Sequence, residues 1–188
     1  MSLKISVQPA IEPVSISEAA LHLRVDSDDE NSLIASYIKA AREYCESFQN
    51  RAYINRTYEY YLDAFPAGDA IRIPVNPLSS VTSIKYYGTD DTEATFDAAN
   101  YLAEVDNYES KISLKYGKTW PSTTLRPHRG VLITFVAGYG DDASSVPEKV
   151  KLAILLLIGD YYSNREAGEA SKETLTAVER LLWQDRVL

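Results

Sequence analysis

A chain of 188 residues with a formal net charge of −8, one cysteine, 45% hydrophobic and 24% charged residues has the composition of an ordinary globular protein. The lone Cys45 excludes an intramolecular disulfide and a multi-cysteine zinc site, and the longest strongly apolar run, 152–158 (LAILLLI), is far short of the roughly 20 residues a membrane span needs. The acid excess argues against tight binding to a phosphate backbone. The start, MSLKISVQPA, lacks the basic and apolar regions of a signal peptide, so synthesis in a reducing cytoplasm is expected. A chain of this length buries roughly 70% of its unfolded surface and needs no staple to hold a core.

The chain reads as helix, then strand, then helix. Residues 15–24 (SISEAALHLR) open with Ser15 and place Glu18 three positions on, the pattern in which hydroxyl and carboxylate satisfy free N–H groups at a helix start. The pattern recurs at Ser27 and Glu30. Beyond it Leu33, Ile34, Tyr37, Ile38, Ala41, Tyr44, Cys45 and Phe48 form one apolar stripe at a 3.6-residue period, while Lys39, Arg42, Glu43 and Glu46 lie off it. This spacing predicts a helix over about 29–49.

From about 51 the period changes. Segments 57–63 (TYEYYLD), 71–75, 81–87 (VTSIKYY), 112–116 and 131–136 (VLITFV) are rich in strand-forming residues, and Gly, Pro, Asn and Asp lie between them. Short strands so punctuated predict an antiparallel barrel or sandwich. Nine of the 14 tyrosines fall in residues 53–116, which suits half-buried sheet faces and interfaces. Helix then returns. Ser145-Val146-Pro147-Glu148 reads as a start, with serine cap and proline in the first turn. Val150, Ile154, Leu155, Leu157, Ile158, Tyr161 and Tyr162 are apolar on nearly every side, as in a helix buried in its own core or between subunits. After a polar break around Gly168, Leu175, Val178, Leu181 and Leu182 mark a short last helix.

The expected fold is therefore α+β, mainly α. A small bundle of about four helices from 1–50 and 141–188 is interrupted by an antiparallel β insertion at 51–140. Acidic side chains outnumber basic ones 8 to 4 in residues 1–50 and 9 to 6 in 141–188, but only 10 to 9 between them.

No catalytic constellation emerges. The two histidines, His22 and His128, fall in different regions, and Cys45 sits on an apolar stripe, where a core thiol is expected. The acidic run Asp26, Asp28, Asp29, Glu30 fails as a calcium loop, because the required Gly and Glu positions hold Asn31 and Tyr37. Asp90, Asp91 and Glu93 read as a solvated hairpin turn, and Gly138-Tyr139-Gly140 as a sharp turn rather than a phosphate loop. Arg126, His128 and Arg129 form a basic loop. No enzyme activity, cofactor or metal is expected.

Four stretches, in order and spacing, resemble the head–tail connector (adaptor) proteins of tailed double-stranded DNA phages and prophages. They are ISEAALHLRVDSDDENSLIASYIKAAREYCESFQNR, PVNPLSSVTSIKYY, ITFVAGYGDDASSVPEKVKLAILLLIGDYYSNRE and LLWQDRV. The resemblance implies a structural subunit of the virion neck, made in the host cytoplasm. It implies assembly into a homo-oligomeric ring of about a dozen copies beneath the portal protein, extending the DNA channel. DNA would pass without specific binding, and a tail or head-completion protein would dock below. Arg24, Arg42, Tyr162, Arg165 and Glu166 are then candidates for subunit-to-subunit contact, and Trp183, Arg186 and Leu188 for contact with the portal. The alternative expectation is a carbohydrate-type binding module using the tyrosine-rich β insertion and Trp120.

Overall fold

A computed structural model describes residues 1–106, 108–165 and 170–187. Among these residues four α-helices and eight strands in two antiparallel sheets make an α+β fold. The chain forms two compact units, one of residues 1–9 and 55–139, the other of residues 10–54 and 140–188.

The first unit is built on a five-stranded sheet. Its central strand, β8 (Val131–Ala137), alternates as a half-covered strand must: Val131, Ile133, Phe135 and Ala137 are buried, and Leu132, Thr134 and Val136 are not. On one side β8 pairs with β2 (Arg56–Leu62), which pairs in turn with the edge strand β1 (Ser2–Val7). On the other side lies β4 (Leu78–Tyr87), followed by the second edge strand β5 (Glu93–Phe96). A smaller sheet, in the order β3 (Ala70–Arg72), β7 (Lys111–Leu114), β6 (Tyr101–Glu104), completes the unit. Phe96 and Tyr101 stack at 5.9 Å, and Phe65 stacks on Trp120 at 5.1 Å, so rings from both sheets and their loops share one aromatic cluster.

Three of these strands, β1, β5 and β6, had no counterpart in the sequence reading. In β1 the period-2 signal is present in Leu3, Ile5 and Val7, yet every residue is exposed, because it is an edge strand joined only to β2. The expected helical segment 1–50 accordingly opens with a strand that pairs with Arg56–Leu62.

The second unit is helical. Helix α1 (Ile16–Leu23) starts at the Ser15–Glu18 capping box and ends at Arg24, which takes the left-handed conformation (φ 58°). Helix α2 (Asn31–Gln49) buries Ile34, Ile38, Ala41 and Cys45, the expected stripe. Helix α3 (Glu148–Ser163) buries Val150, Ala153, Ile154, Leu157 and Ile158, and α4 (Lys172–Leu182), capped by the Ser171 hydroxyl, buries Val178 and Leu182. Two expected caps differ. The Ser27 hydroxyl accepts from Asp29 N and starts a 3-10 turn at Asp28–Glu30, while Glu30 turns its carboxylate to Tyr162 and Arg165. Ser145 ends a separate 3-10 turn, and α3 starts after Pro147 without a side-chain cap. The polar break at Gly168 lies outside the described residues.

Candidate functional site

The groups that catalysis would need are inert or apart. Cys45 is fully buried, and burial, reinforced by the neighbouring Glu46 charge, pushes its thiol up to about 12, so no thiolate forms at neutral pH. No cluster of His, Cys, Asp or Glu able to hold a metal ion occurs among the described residues. A cavity of about 410 Å³ between α2, α3 and α4 is lined by Tyr37, Tyr44, Tyr161, Leu175, Asn164 and Arg165, with no His, Cys, Asp or Glu among its described lining residues. The basic loop is self-contained: Arg126 lies 3.0 Å from Asp91 and 4.1 Å above Tyr87, and Arg129 lies 4.9 Å above Tyr61. Trp120 is not an exposed sugar platform. One face lies on Phe65 and its indole N–H donates to Gly68 O at 2.8 Å, which removes the main support for the carbohydrate alternative.

The helical unit keeps several candidate contact residues for itself. The Arg42 side chain is 2% exposed, with Nε 2.6 Å from Glu12 and Nη1 2.7 Å from Glu46. Glu46 also accepts from Tyr53 N at 2.9 Å. Arg42 therefore forms a buried ion-pair site within its own unit: one turn of α2 places it beside Glu46, and the approach to α1 supplies Glu12. Tyr162 and Arg165 meet Glu30. The Tyr162 hydroxyl donates to Glu30, Arg165 lies 2.8 Å from the same carboxylate, and its guanidinium stacks 4.2 Å above the Tyr162 ring. Arg165, then Tyr162, holds the Glu30 carboxyl below its ordinary range. These two residues tie the end of α3 to the start of α2 within one subunit. Arg24 is exposed and makes no ion pair among the described residues. Glu166 and Leu188 lie outside the described residues.

The C-terminal candidates stand differently. Trp183 is 61% exposed, its ring 6.4 Å from Phe48, and the Arg186 guanidinium lies 4.9 Å from Phe48 and 5.6 Å from Trp183. Beneath this surface the backbone is fixed. Gln49 Nε2 donates to Leu182 O at 2.7 Å, Val187 N donates to Gln49 O at 3.0 Å, Arg51 donates to Asp185 O, and Lys149 pairs with the Asp185 carboxylate. From the sequence Phe48 is read only as part of the apolar stripe of α2, and Gln49 and Arg51 are not singled out. Their contribution comes from the end of α2, where Asn50 turns in the left-handed conformation, and no local signal marks which distant segment that turn receives. The outcome is an aromatic and cationic surface over a hydrogen-bonded backbone, the residue types that dominate interface hot spots.

Comparison with known proteins gives a consistent picture. Residues 14–175 match the family model described as head completion protein. A chain of the solved "virion of native gene transfer agent (GTA) particle" matches at 25% identity and a TM-score of 0.84, covering 100% of this chain and 96% of that one. A chain of the "neck of empty GTA particle computed with C6 symmetry" matches with the same identity and coverage at a TM-score of 0.86. A third, from the "neck of native GTA particle computed with C12 symmetry", shares the fold at 24% identity and a TM-score of 0.78. No curated protein sequence matches the chain.

Proposed function

The chain belongs to the head completion protein family, and from that premise we propose that it is a structural, non-catalytic subunit of the neck of a tailed phage or phage-like particle. It is made in the bacterial cytoplasm and resides in the virion. It assembles into a ring against the portal protein, extends the DNA channel and presents a platform to the next tail or head-completion protein. The observation that carries this reading is the match along the whole chain, at TM-scores of 0.84 and 0.86, to chains of a virion and of a neck. The sixfold symmetry named for that neck supports a ring with a multiple of six copies, a dozen among them.

Within this reading Trp183 and Arg186 are the portal-facing pair, since both are exposed aromatic or cationic side chains on a hydrogen-bonded segment, and Arg24 is a subunit-to-subunit contact. A net charge of −8 keeps DNA from adhering as it passes. Native mass spectrometry across a concentration series, alone and with the portal protein of the same genome, tests the assembly. The expected result is a closed ring, formed by the protein itself or on the portal. A monomer or dimer that ignores the portal at every concentration would overturn the reading.

A further inference from the structure

The five-stranded sheet has two open edges, and they complement each other. At one edge, Leu3 and Ile5 lie opposite Tyr60 and Tyr58, and so share a face with Ile133 and Phe135 of β8. Ile133 and Phe135 are fully buried and Tyr58 nearly so, yet Leu3 and Ile5 are 41% and 37% exposed; beyond a register shift Val7 pairs with Thr57 and lies on the other face. The apolar face thus runs one strand beyond its cover. On the opposite face of β1 stand Ser2, Lys4 and Ser6, with the Lys4 side chain 70% exposed. At the other edge, β5 pairs only with β4 among the described residues. Ala94 and Phe96 lie on the apolar face, opposite Tyr86 and Ile84. Glu93 and Thr95 lie on the polar face, and the exposed Asp97 follows the strand directly.

Natural sheets blunt exposed edges with charge, proline or a covering segment. Here one edge carries Lys4, only 4.0 Å from Glu59, and the other carries Asp97 and Glu93, the latter already paired with Lys85 at 2.7 Å, on sheet faces of matching character. We propose that copies of this chain join edge to edge, β1 of one copy lying against β5 of the next, with Lys4 facing Glu93 or Asp97 and Leu3 and Ile5 continuing the apolar face of the neighbouring sheet. The contact is heterologous: one copy's left edge meets the next copy's right edge, so repetition builds a ring where the rotation per copy closes, and not an isologous dimer. Main-chain hydrogen bonds supply affinity and the alternating side chains supply register. The proposal rests on the ring assembly above and names the surface that builds it.

Zero-length carbodiimide cross-linking tests it, because it joins an amine to a carboxylate only in contact and needs no assumed register. Equal parts of ¹⁴N- and ¹⁵N-labelled protein are assembled, with portal if required, cross-linked and digested. Mixed-isotope peptides joining Lys4 to Glu93 or Asp97 are expected in rings and absent from monomers. The intramolecular Lys4–Glu59 pair, 4.0 Å apart, reports that the reagent reaches Lys4. In parallel, Leu3→Lys and Ile5→Lys, each checked for an unchanged melting temperature, are expected to abolish ring formation. Rings in which Lys4 joins only Glu59, or that survive both substitutions, would overturn the edge contact and leave the assembly intact. Absence of rings under every condition would overturn the assembly reading and this contact with it.

Discussion

Two residues of the helical unit show how a charge can be structural rather than functional. Arg42 looks from the sequence like a surface cation lying off an apolar stripe, yet its side chain is buried between Glu12 and Glu46. Periodicity places a residue on a helix face, but it does not say that a second element will cover that face and bring a carboxylate with it. Arg42→Ala leaves the nearly buried Glu46 without its cation, so a loss of about 3 kcal/mol is expected in urea unfolding. A loss under about 1 kcal/mol would mean that water reaches Glu46 and the pair is a surface one. Ser15 was legible, because its capping box is a local pattern, and both of its hydrogen bonds form: Ser15 N to Glu18 at 2.7 Å and Glu18 N to Ser15 Oγ at 3.1 Å. The Ser15 backbone N–H, then its hydroxyl, holds the Glu18 carboxyl below its ordinary range. A depressed carboxyl stabilises the fold in full above the ordinary glutamate pKa of about 4.3, and that contribution fades as pH falls through the lowered value. Ser15→Ala is expected to cost about 1 kcal/mol near neutral pH. It is also expected to move the Glu18 titration, followed by carboxyl NMR shifts, upward; an unmoved titration would show that the cap is not formed in solution.

Elements were read as well as their periods allowed. Helix α2 and the central strand β8 stand close to where the sequence places them, because each presents a full apolar face to one neighbour. The strands β5 and β6, four residues each, are too short to show a period and owe their state to pairing partners elsewhere in the chain. The start of α3 was misassigned for a related reason: Ser145 satisfies a 3-10 turn of its own before Pro147 sets the helix. Two glycines separate propensity from packing at this scale. Gly159 lies inside α3, and an added Cβ would meet the His22 ring, with Nε2 at 3.5 Å and Cδ2 at 3.9 Å, ordinary contacts. Gly159→Ala is therefore expected to stabilise the protein by about 0.5–1 kcal/mol, read as a raised melting temperature. At Gly130, just before β8, the same methyl would stand 2.6 Å from the carbonyl oxygen of Asp63, so Gly130→Ala is expected to destabilise by about 1–3 kcal/mol. If both substitutions moved the midpoint the same way, helix propensity would not be what governs position 159.

At the scale of the whole molecule, the working surface of a structural subunit is hard to read, because a partner it has yet to meet leaves no period or motif in the chain. The aromatic and cationic C-terminal segment was legible only as composition; its anchoring contacts come from Gln49, Arg51 and Lys149, brought from two other helices' ends. That arrangement separates stability from binding. Trp183 is 61% exposed and contributes little to the core, so Trp183→Ala is expected to leave the melting temperature within about 2 °C of the parent, as surface substitutions do. If the surface meets the portal, the same substitution should weaken binding by about tenfold or more in titration calorimetry, the loss of an interface hot spot. Arg186→Ala should weaken it too, since the guanidinium lies near the rings of both Phe48 and Trp183. Gln49→Ala should instead lower the melting temperature, because it removes a buried donor to the Leu182 carbonyl. Trp183→Ala with unchanged portal affinity would remove the C-terminus from the contact, and the portal-facing surface would then have to lie elsewhere on the subunit.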